Sequence, residues 1–381
     1  MTTYTATVAI VGGGVVGTAI LHTLAHRGVD AILLEAQSDL AFQASGTSSG
    51  VLHTGFDSTP GQLETKLILR SALLRPSILS ALDIPVSYTG AALIPHEAGD
   101  DDVIRGLADN AARNGVDVSI RSDDGALLVP GESVTDPVAF TLALGASARI
   151  AGARILLDAP VTAIDAKADS VTVMVGDDHA VTVHAVINAA GLHADDVARL
   201  IGDDSFEIYP RKGEFLVFEL PGGETLGEIL LPVPTKRTKG VLVFPTLDGR
   251  VVAGPTAHDQ VDKDDWSVRS DAHREVLEKA VVQYPKLAGL EPVAAYAGLR
   301  TAGRDANYII EHSAVDNRVI NVAAIRSTGL SACLGIASYV SEMLPALGIA
   351  VEEPRPASPA TAAATGVPWW RRTAEKAALK R

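Results

Sequence analysis

The chain has 381 residues, 47% hydrophobic and 20% charged, with a net charge of −14 and one cysteine, Cys333. That balance suits a globular protein of two domains and leaves no basic surplus for general nucleic-acid binding, so no nucleic-acid partner is expected. A single cysteine excludes an intrachain disulfide and a thiolate metal cluster, and no metal site is expected.

Met1 to Thr7 lack the basic and apolar segments of a signal peptide, and no apolar run approaches the roughly 20 residues of a bilayer span. A cytoplasmic location is expected. The first predicted strand, Val8-Ala9-Ile10-Val11, runs straight into Gly12-Gly13-Gly14-Val15-Val16-Gly17. An amphipathic helix, Thr18 to Arg27, follows and Gly28 ends it. A second apolar strand, Ala31-Ile32-Leu33-Leu34, stops at Glu35, 23 residues after Gly12. Strand, glycine turn, helix, strand and terminal acid together specify a dinucleotide site. Gly12 permits the turn, Gly14 lets backbone approach a pyrophosphate, and Gly17 lets helix and strand pack closely. The helix N-terminus turns unpaired N–H groups toward the phosphates, and Glu35 can accept from a ribose hydroxyl.

Residues 41–62 are rich in Gly, Ser and Thr and read as an ordered binding loop. Helices are predicted over Glu64–Leu82, Asp100–Asn114 and Asp136–Ala151, the last with Asp136 as cap and Pro137 at its first position. Residues 159–190 alternate short strands and turns, which predicts a three-stranded antiparallel meander feeding the strand Ala185-Val186-Ile187 back into a parallel sheet. Asn188-Ala189-Ala190-Gly191 then opens a new helix. Gly213–Leu220, Gly240–Pro245 and Arg250–Gly254 read as strands of an antiparallel sheet in a second domain. After a helix at Asp271–Gln283, the strand Arg318–Ala324 leads through Arg326-Ser327-Thr328-Gly329-Leu330 into a helix from about Ser331 to Leu344.

The end of the chain differs in composition. Glu352 to Gly366 is Pro/Ala/Thr-rich and reads as a flexible linker. From Gly366 onward there are five basic residues and one acid, with Trp369-Trp370-Arg371-Arg372 at the front. Adjacent tryptophans and arginines have the composition of an anchor for a partner or a membrane surface, which would add peripheral membrane association. The alternative is a disordered or self-docked tail.

Three strand-to-helix turns converging on one sheet edge suit a long ligand with several polar zones. Val8–Gly17 with Glu35, Ser45–His53 and Val186–Leu192 resemble the FAD-dependent oxidoreductases of the D-amino-acid-oxidase-like superfamily. Pro210–Phe215, Leu231–Lys236, Gly254–Ala257 and Gly298–Arg300 narrow the resemblance to the branch of glycerol-3-phosphate dehydrogenases and 2-hydroxyglutarate dehydrogenases or oxidases. It covers residues 6 to 345. Thr301 stands where the family often has proline, and His258 where an acid is more usual.

The resemblance implies an α/β protein: a Rossmann-like FAD-binding domain interleaved with an α+β substrate domain built on an antiparallel sheet. The expected division is 1–85, 145–205 and 296–350 for the FAD-binding domain, 86–144 and 206–295 for the substrate domain, and 351–381 for the linker and basic Trp-containing tail. It places Gly12, Gly14, Val15, Val16 and Gly17 at the FAD pyrophosphate and Glu35 at the adenosine ribose. Ser45, Gly46, Thr47, Ser49 and Gly50 wrap the pyrophosphate toward the isoalloxazine. Val161, by its backbone, and Ala190-Gly191 lie near the adenine. Arg326, Ser327, Thr328, Gly329 and Leu330 lie near the flavin's pyrimidine edge, with Arg300 beside them. A helix N-terminus and an arginine there would stabilise the negative charge of reduced flavin.

Oxidising an alcohol needs a base for the hydroxyl proton, and a histidine suits that role near neutral pH. His53, just past the glycine-rich loop, is the first candidate and His258 the second. The alternative for His53 is a surface or structural histidine. His22, His26, His179 and His184 fall in helix or meander and are assigned no chemistry. An anionic substrate needs a cation: Arg300 is the first candidate for a bidentate clamp, and its alternative is an interdomain ion pair. Arg326 comes next. Arg211, Lys236, Arg237 and Lys239 form a basic cluster that is either a substrate attractor or a solvated turn, with Lys236 the choice within it. The expected activity is oxidation of a small anionic 2-hydroxy compound, of glycerol 3-phosphate or 2-hydroxyglutarate type, by hydride transfer to FAD. Oxygen, a quinone or a protein is the electron acceptor. An amine or amino-acid oxidase, or a flavin-bearing electron-transfer subunit, is the alternative.

Overall fold

The computed structural model describes residues 2–235, 240–360 and 366–379. Lys236, Arg237 and Lys239 lie outside the described residues. A six-stranded sheet runs in the order Arg154–Leu156, Ala31–Leu34, Val8–Val11, Ala185–Asn188, Val319–Ala323, Ile309–His312. Its pairings are parallel except for the last. The four central strands are buried, nearly continuous runs of apolar residues because both faces are covered, interrupted only by Asn188 and Asn321, which sit side by side with Asn188 Nδ2 donating to Asn321 Oδ1 at 2.9 Å. Val8, Ile10, Leu33 and Ile187 pack on helices Val15–Ala25 and Gly329–Met343. Ala9, Val11, Leu34 and Val186 pack on the opposite side against valines of a second, four-stranded sheet.

That second sheet holds the expected meander, Val161–Ala166, Val171–Val175 and His179–Val183, all antiparallel. Thr2–Thr5 adds a fourth strand parallel to His179–Val183. Its side chains are mostly exposed, so no apolar alternation announces it.

A nine-stranded sheet forms the other half of the molecule. Its spine is Ile208–Phe218 paired antiparallel with Ala294–Gly303 over ten residues. Strands from Ala91–Leu93 and Leu127–Val129 join the opposite end, so the chain enters this sheet twice. Two expected boundaries move. Residue 145 falls inside helix Pro137–Ile150, which packs on helix Val15–Ala25, and residue 296 falls inside the strand Ala294–Gly303. The whole helix therefore belongs with the parallel sheet and the whole strand with the nine-stranded one. Asp136 caps that helix as the sequence indicates, its Oδ1 accepting from Val138 N at 2.8 Å and Ala139 N at 2.9 Å.

Helix Gly329–Met343 continues through a 3₁₀ turn to Leu347, a run long and apolar enough by composition to cross a membrane. It is instead the central core helix, packed between helices Val15–Ala25 and Leu63–Ala81. The sequence expectation that no run reaches bilayer length is corrected in length but not in consequence.

His22, in helix Val15–Ala25, is buried and its Nε2 has no hydrogen-bond partner. Burial, and secondarily the neighbouring His26, push its pKa down to about 3. Between that value and the unfolded value of about 6.5, the unfolded chain holds the extra proton, so stability is complete above pH 6.5 and lost as pH falls toward 3. At pH 5 the loss from this one group is about 2 kcal/mol. A His22→Leu variant should show a urea midpoint less sensitive to a shift from pH 7.5 to pH 5 than the parent. Equal acid sensitivity would refute the assignment.

At the end of the chain the expected flexible linker is corrected, and the tail takes the self-docked arrangement that stood as the alternative. Residues 352–360 are docked rather than flexible: Glu352 N donates to Arg27 O and Arg355 N to His26 O, both at 2.9 Å. Ser358 N donates to His26 Nε2 at 2.9 Å. The helix Trp369–Leu379 lies against the body, with Trp369 and Trp370 each 3% exposed. Trp369 meets the Tyr296 ring edge-on at 5.5 Å, and Trp370 Nε1 donates to Asp248 at 3.1 Å. The tryptophans offered to a partner or membrane by composition are used internally, because the nine-stranded sheet leaves an apolar face around Tyr296 and Phe215 for them to cover.

Candidate functional site

A cavity of about 710 Å³ opens where the carboxyl edge of the parallel sheet meets the nine-stranded sheet. Its first zone is the glycine turn. Gly12 has φ +107°, and a Cβ there would sit 2.5 Å from Ala189 O. A Cβ at Gly17 would overlap the Gly12 carbonyl oxygen. Gly12, Gly14, Val15 and Val16 line the cavity; Gly17 stands behind them, closing helix onto strand. Helix Val15–Ala25 begins at this wall, with Gly14 as its cap. Glu35, at the tip of the neighbouring strand, also lines the cavity. It accepts from Gly13 N at 2.5 Å and Gln37 N at 2.8 Å. Burial raises its pKa against the lowering effect of those bonds.

The second zone is the loop after Glu35. Ser45, Thr47 and Ser49 face the cavity, and Ser45 Oγ accepts from Val15 N at 2.8 Å, tying the loop to the helix start. Gly46 and Gly50 do not line it; they let the loop back onto Ala41 O and Thr135 O. Ala190 and Gly191 contribute a third wall. The fourth is Arg326 to Leu330, ahead of helix Gly329–Met343. Ala324 and Arg326 both adopt left-handed backbone, φ +55° and +58°, the kind of local strain that sharp functional turns hold. Val161 does not join this set; it opens the strand Val161–Ala166 and pairs with Val175, off the lining.

At the far end His53 lines the cavity. Its Nδ1 donates to Glu132 Oε2 at 2.8 Å, and Glu132 is fully buried. The other carboxylate oxygen accepts from Thr54 N at 2.7 Å and Thr54 Oγ1 at 2.9 Å, so the acid is held as an acceptor on both oxygens. His53 N donates to Ser331 Oγ at 2.8 Å, and buried Arg75 donates to His53 O at 3.1 Å and Ser331 O at 3.0 Å. The sequence reading missed Glu132. The one available signal was an acid, in Gly131-Glu132-Ser133-Val134, three residues after the apolar strand Leu127–Val129.

Arg300 lies on the strand Ala294–Gly303 and its side chain lines the same cavity. It donates to Thr256 O at 3.0 Å, and among the described residues no carboxylate forms an ion pair with it. Burial first, then Arg211 and Arg326, lower its pKa to about 10. It is therefore still a cation at neutral pH, one that lacks an anion. Arg211 and Arg326 line the cavity with it, Arg211 also paired to Asp259 at 3.1 Å. His258 is not brought here: its Nε2 bonds Glu275 Oε2 at 2.9 Å, and it is absent from the lining because the pairing of His258–Asp259 with Arg211-Lys212 turns it toward helix Ala272–Gln283. That corrects its candidacy as base. Lys236 falls outside the described residues.

These residues fit the FAD that the sequence resemblance implies. A side chain at Gly12 or Gly17 would close the turn at which a pyrophosphate must lie, and the acid at the strand tip stands one turn away. The volume is in the range of pockets that bury most of a ligand. Comparison with known proteins agrees. The FAD dependent oxidoreductase family matches residues 7–343. A glycerol 3-phosphate dehydrogenase of Caloramator mitchellensis is 28% identical, over 91% of this chain and 75% of its own. A glycerol 3-phosphate oxidase of Mycoplasma pneumoniae is 28% identical, over 88% of this chain and 94% of its own. The dithionite-reduced L-alpha-glycerophosphate oxidase from Mycoplasma pneumoniae with FAD bound superposes with a TM-score of 0.85 at 26% identity, over 93% of this chain and 98% of that one. An L-2-hydroxyglutarate dehydrogenase of Mus musculus is 28% identical over 65% of this chain. With that family matched over nearly the whole chain, the chain belongs to the FAD-dependent oxidoreductases.

Proposed function

We propose that the protein oxidises a small anionic 2-hydroxy compound, of glycerol 3-phosphate or 2-hydroxyglutarate type, to the ketone. The observation that carries this reading is Arg300: a partly buried guanidinium facing a cavity without a carboxylate of its own among the described residues, flanked by two further arginines. Three cations around one cavity repel one another, and an anionic substrate relieves that repulsion. The names of the relatives point to the same substrate class.

Bound FAD supplies the two-electron acceptor that takes a hydride from the substrate carbon. Arg300 holds the substrate's anionic group, with Arg326 and Arg211 adding field. His53 takes the hydroxyl proton at Nε2, because Nδ1 is committed to Glu132. The Glu132 carboxylate fixes that tautomer and stabilises the imidazolium that forms, as a buried acid does behind a histidine base. The reading extends to Ser45, Thr47, Ser49 and Glu35 as cofactor contacts. The final electron acceptor would be oxygen, a quinone or a protein.

The test is anaerobic flavin bleaching with a panel: glycerol 3-phosphate, both enantiomers of 2-hydroxyglutarate, uncharged glycerol, glycine and proline. Bleaching by one of the anionic hydroxy compounds and by none of the others is the expected result. Bleaching by the amines alone would overturn the proposal. Repeating the turnover with oxygen, a soluble quinone and a dye separates the acceptors.

A further inference from the structure

The loop that lines the cavity has a second face. From inside it is held by Ala41 N on Gly13 O at 3.0 Å and by Ser45 on Val15 N. From outside it is held by the C-terminal helix. Thr373 Oγ1 donates to Gly46 O at 2.6 Å in a buried contact, and Arg372 pairs with Asp39 at 2.7 Å. Both ends of residues 39–46 are thus fastened by two consecutive residues more than 320 positions away. Trp369 and Trp370 fix the helix on Tyr296 of the nine-stranded sheet and on Asp248, in the turn between that sheet's strands Leu242–Pro245 and Val251–Gly254. The tail therefore joins the cofactor loop to the other half of the molecule.

We propose that this helix is a clasp that holds the loop in its cofactor-binding shape, making Thr373, with Arg372 in support, a positioning residue for FAD. The physical reason is pre-organisation. A loop ordered before binding has no ordering entropy to lose on binding. If the unclasped loop is competent in only about a tenth of molecules, the apparent dissociation constant rises about tenfold. Thr373 carries most of the effect: its removal strips a buried carbonyl of its donor, whereas the half-exposed Arg372–Asp39 pair is screened by solvent. The proposal rests on FAD lying along this loop and not on which substrate is oxidised.

The test uses full-length protein stripped of FAD and titrated with it, following flavin fluorescence for affinity and release for the dissociation rate. Thr373→Val with Arg372→Met should weaken FAD about tenfold and speed its release in proportion, while the apoprotein melts within a few degrees of the parent. Thr373→Ser, which restores the hydroxyl, should return affinity to within about twofold. Removing residues 367–381 should weaken FAD at least as much as the double variant; if that shortened chain does not fold, the point variants decide. Unchanged affinity with a lowered melting temperature would show a structural cover only and sink the proposal. Ser45→Leu, on the inner face, separates the two readings: if it too leaves affinity unchanged, the placement of FAD along this loop fails rather than the clasp.

Discussion

Replacing His53 with asparagine is expected to lower the rate constant for anaerobic flavin reduction by about 10²- to 10⁴-fold, the usual contribution of a positioned general base. FAD affinity should be unchanged within about twofold, since His53 is fixed through its neighbours and not through the glycine turn. Glu132→Gln should act through the histidine. The glutamine amide can donate as well as accept, so it favours the imidazole tautomer protonated at Nε2, which cannot take a proton there. A fall of about ten- to a hundredfold is expected, with Glu132→Asp less affected than Glu132→Gln. The two substitutions together should cost little more than His53→Asn alone, because residues acting as a unit are not additive. Full-rate reduction in the His53 variant would remove histidine from the mechanism. Equal effects of the aspartate and glutamine variants would leave Glu132 a packing residue.

Replacing Arg300 with methionine is expected to raise the substrate concentration for half-maximal flavin reduction by about 10²- to 10³-fold. Losing one member of a buried charge pair costs about 2–5 kcal/mol. Arg300→Lys should recover only part of this, since a point charge does not reproduce a planar fork. The parent should also be inhibited competitively by inorganic phosphate or sulfate, and the methionine variant should not. Saturation curves from stopped-flow reduction at fixed pH, with FAD affinity as control, measure all three. Binding of the anion undiminished in the methionine variant would transfer the role to Arg326 or Arg211 and leave Arg300 a strand-to-loop strut through Thr256.

Much of this site was legible in the chain because its parts are local. The glycine spacing, the strand before it and the acid after the next strand lie within 28 residues and are read by period and punctuation. Asp136 before Pro137 announces a helix start because a cap acts over three residues. His53 and Arg300 were reachable as residue types beside recognisable stretches. The failures share a different cause. His258 stood second to His53 by type and loop position, and a two-residue pairing with the strand Ile208–Phe218 turned it onto Glu275. Glu132 is 79 positions from His53, and only the small sheet of Val51–Leu52 with Ser133–Thr135 brings them together. The tail's composition is that of an anchor. What it anchors to was settled by an apolar face that forms only when strands 80 residues apart pair.

From linear order alone came the dinucleotide turn and the alternation between two kinds of sheet, since each rests on contacts within a turn or two of backbone; the choice of FAD and the chemical repertoire of the site were what the family resemblance implied. Tertiary structure alone decided which histidine meets the cavity, which acid orients it, which arginine stands there without a carboxylate, and that the last helix closes on the loop. Those depend on strand register and on which apolar faces remain uncovered, quantities that exist only once distant segments have packed.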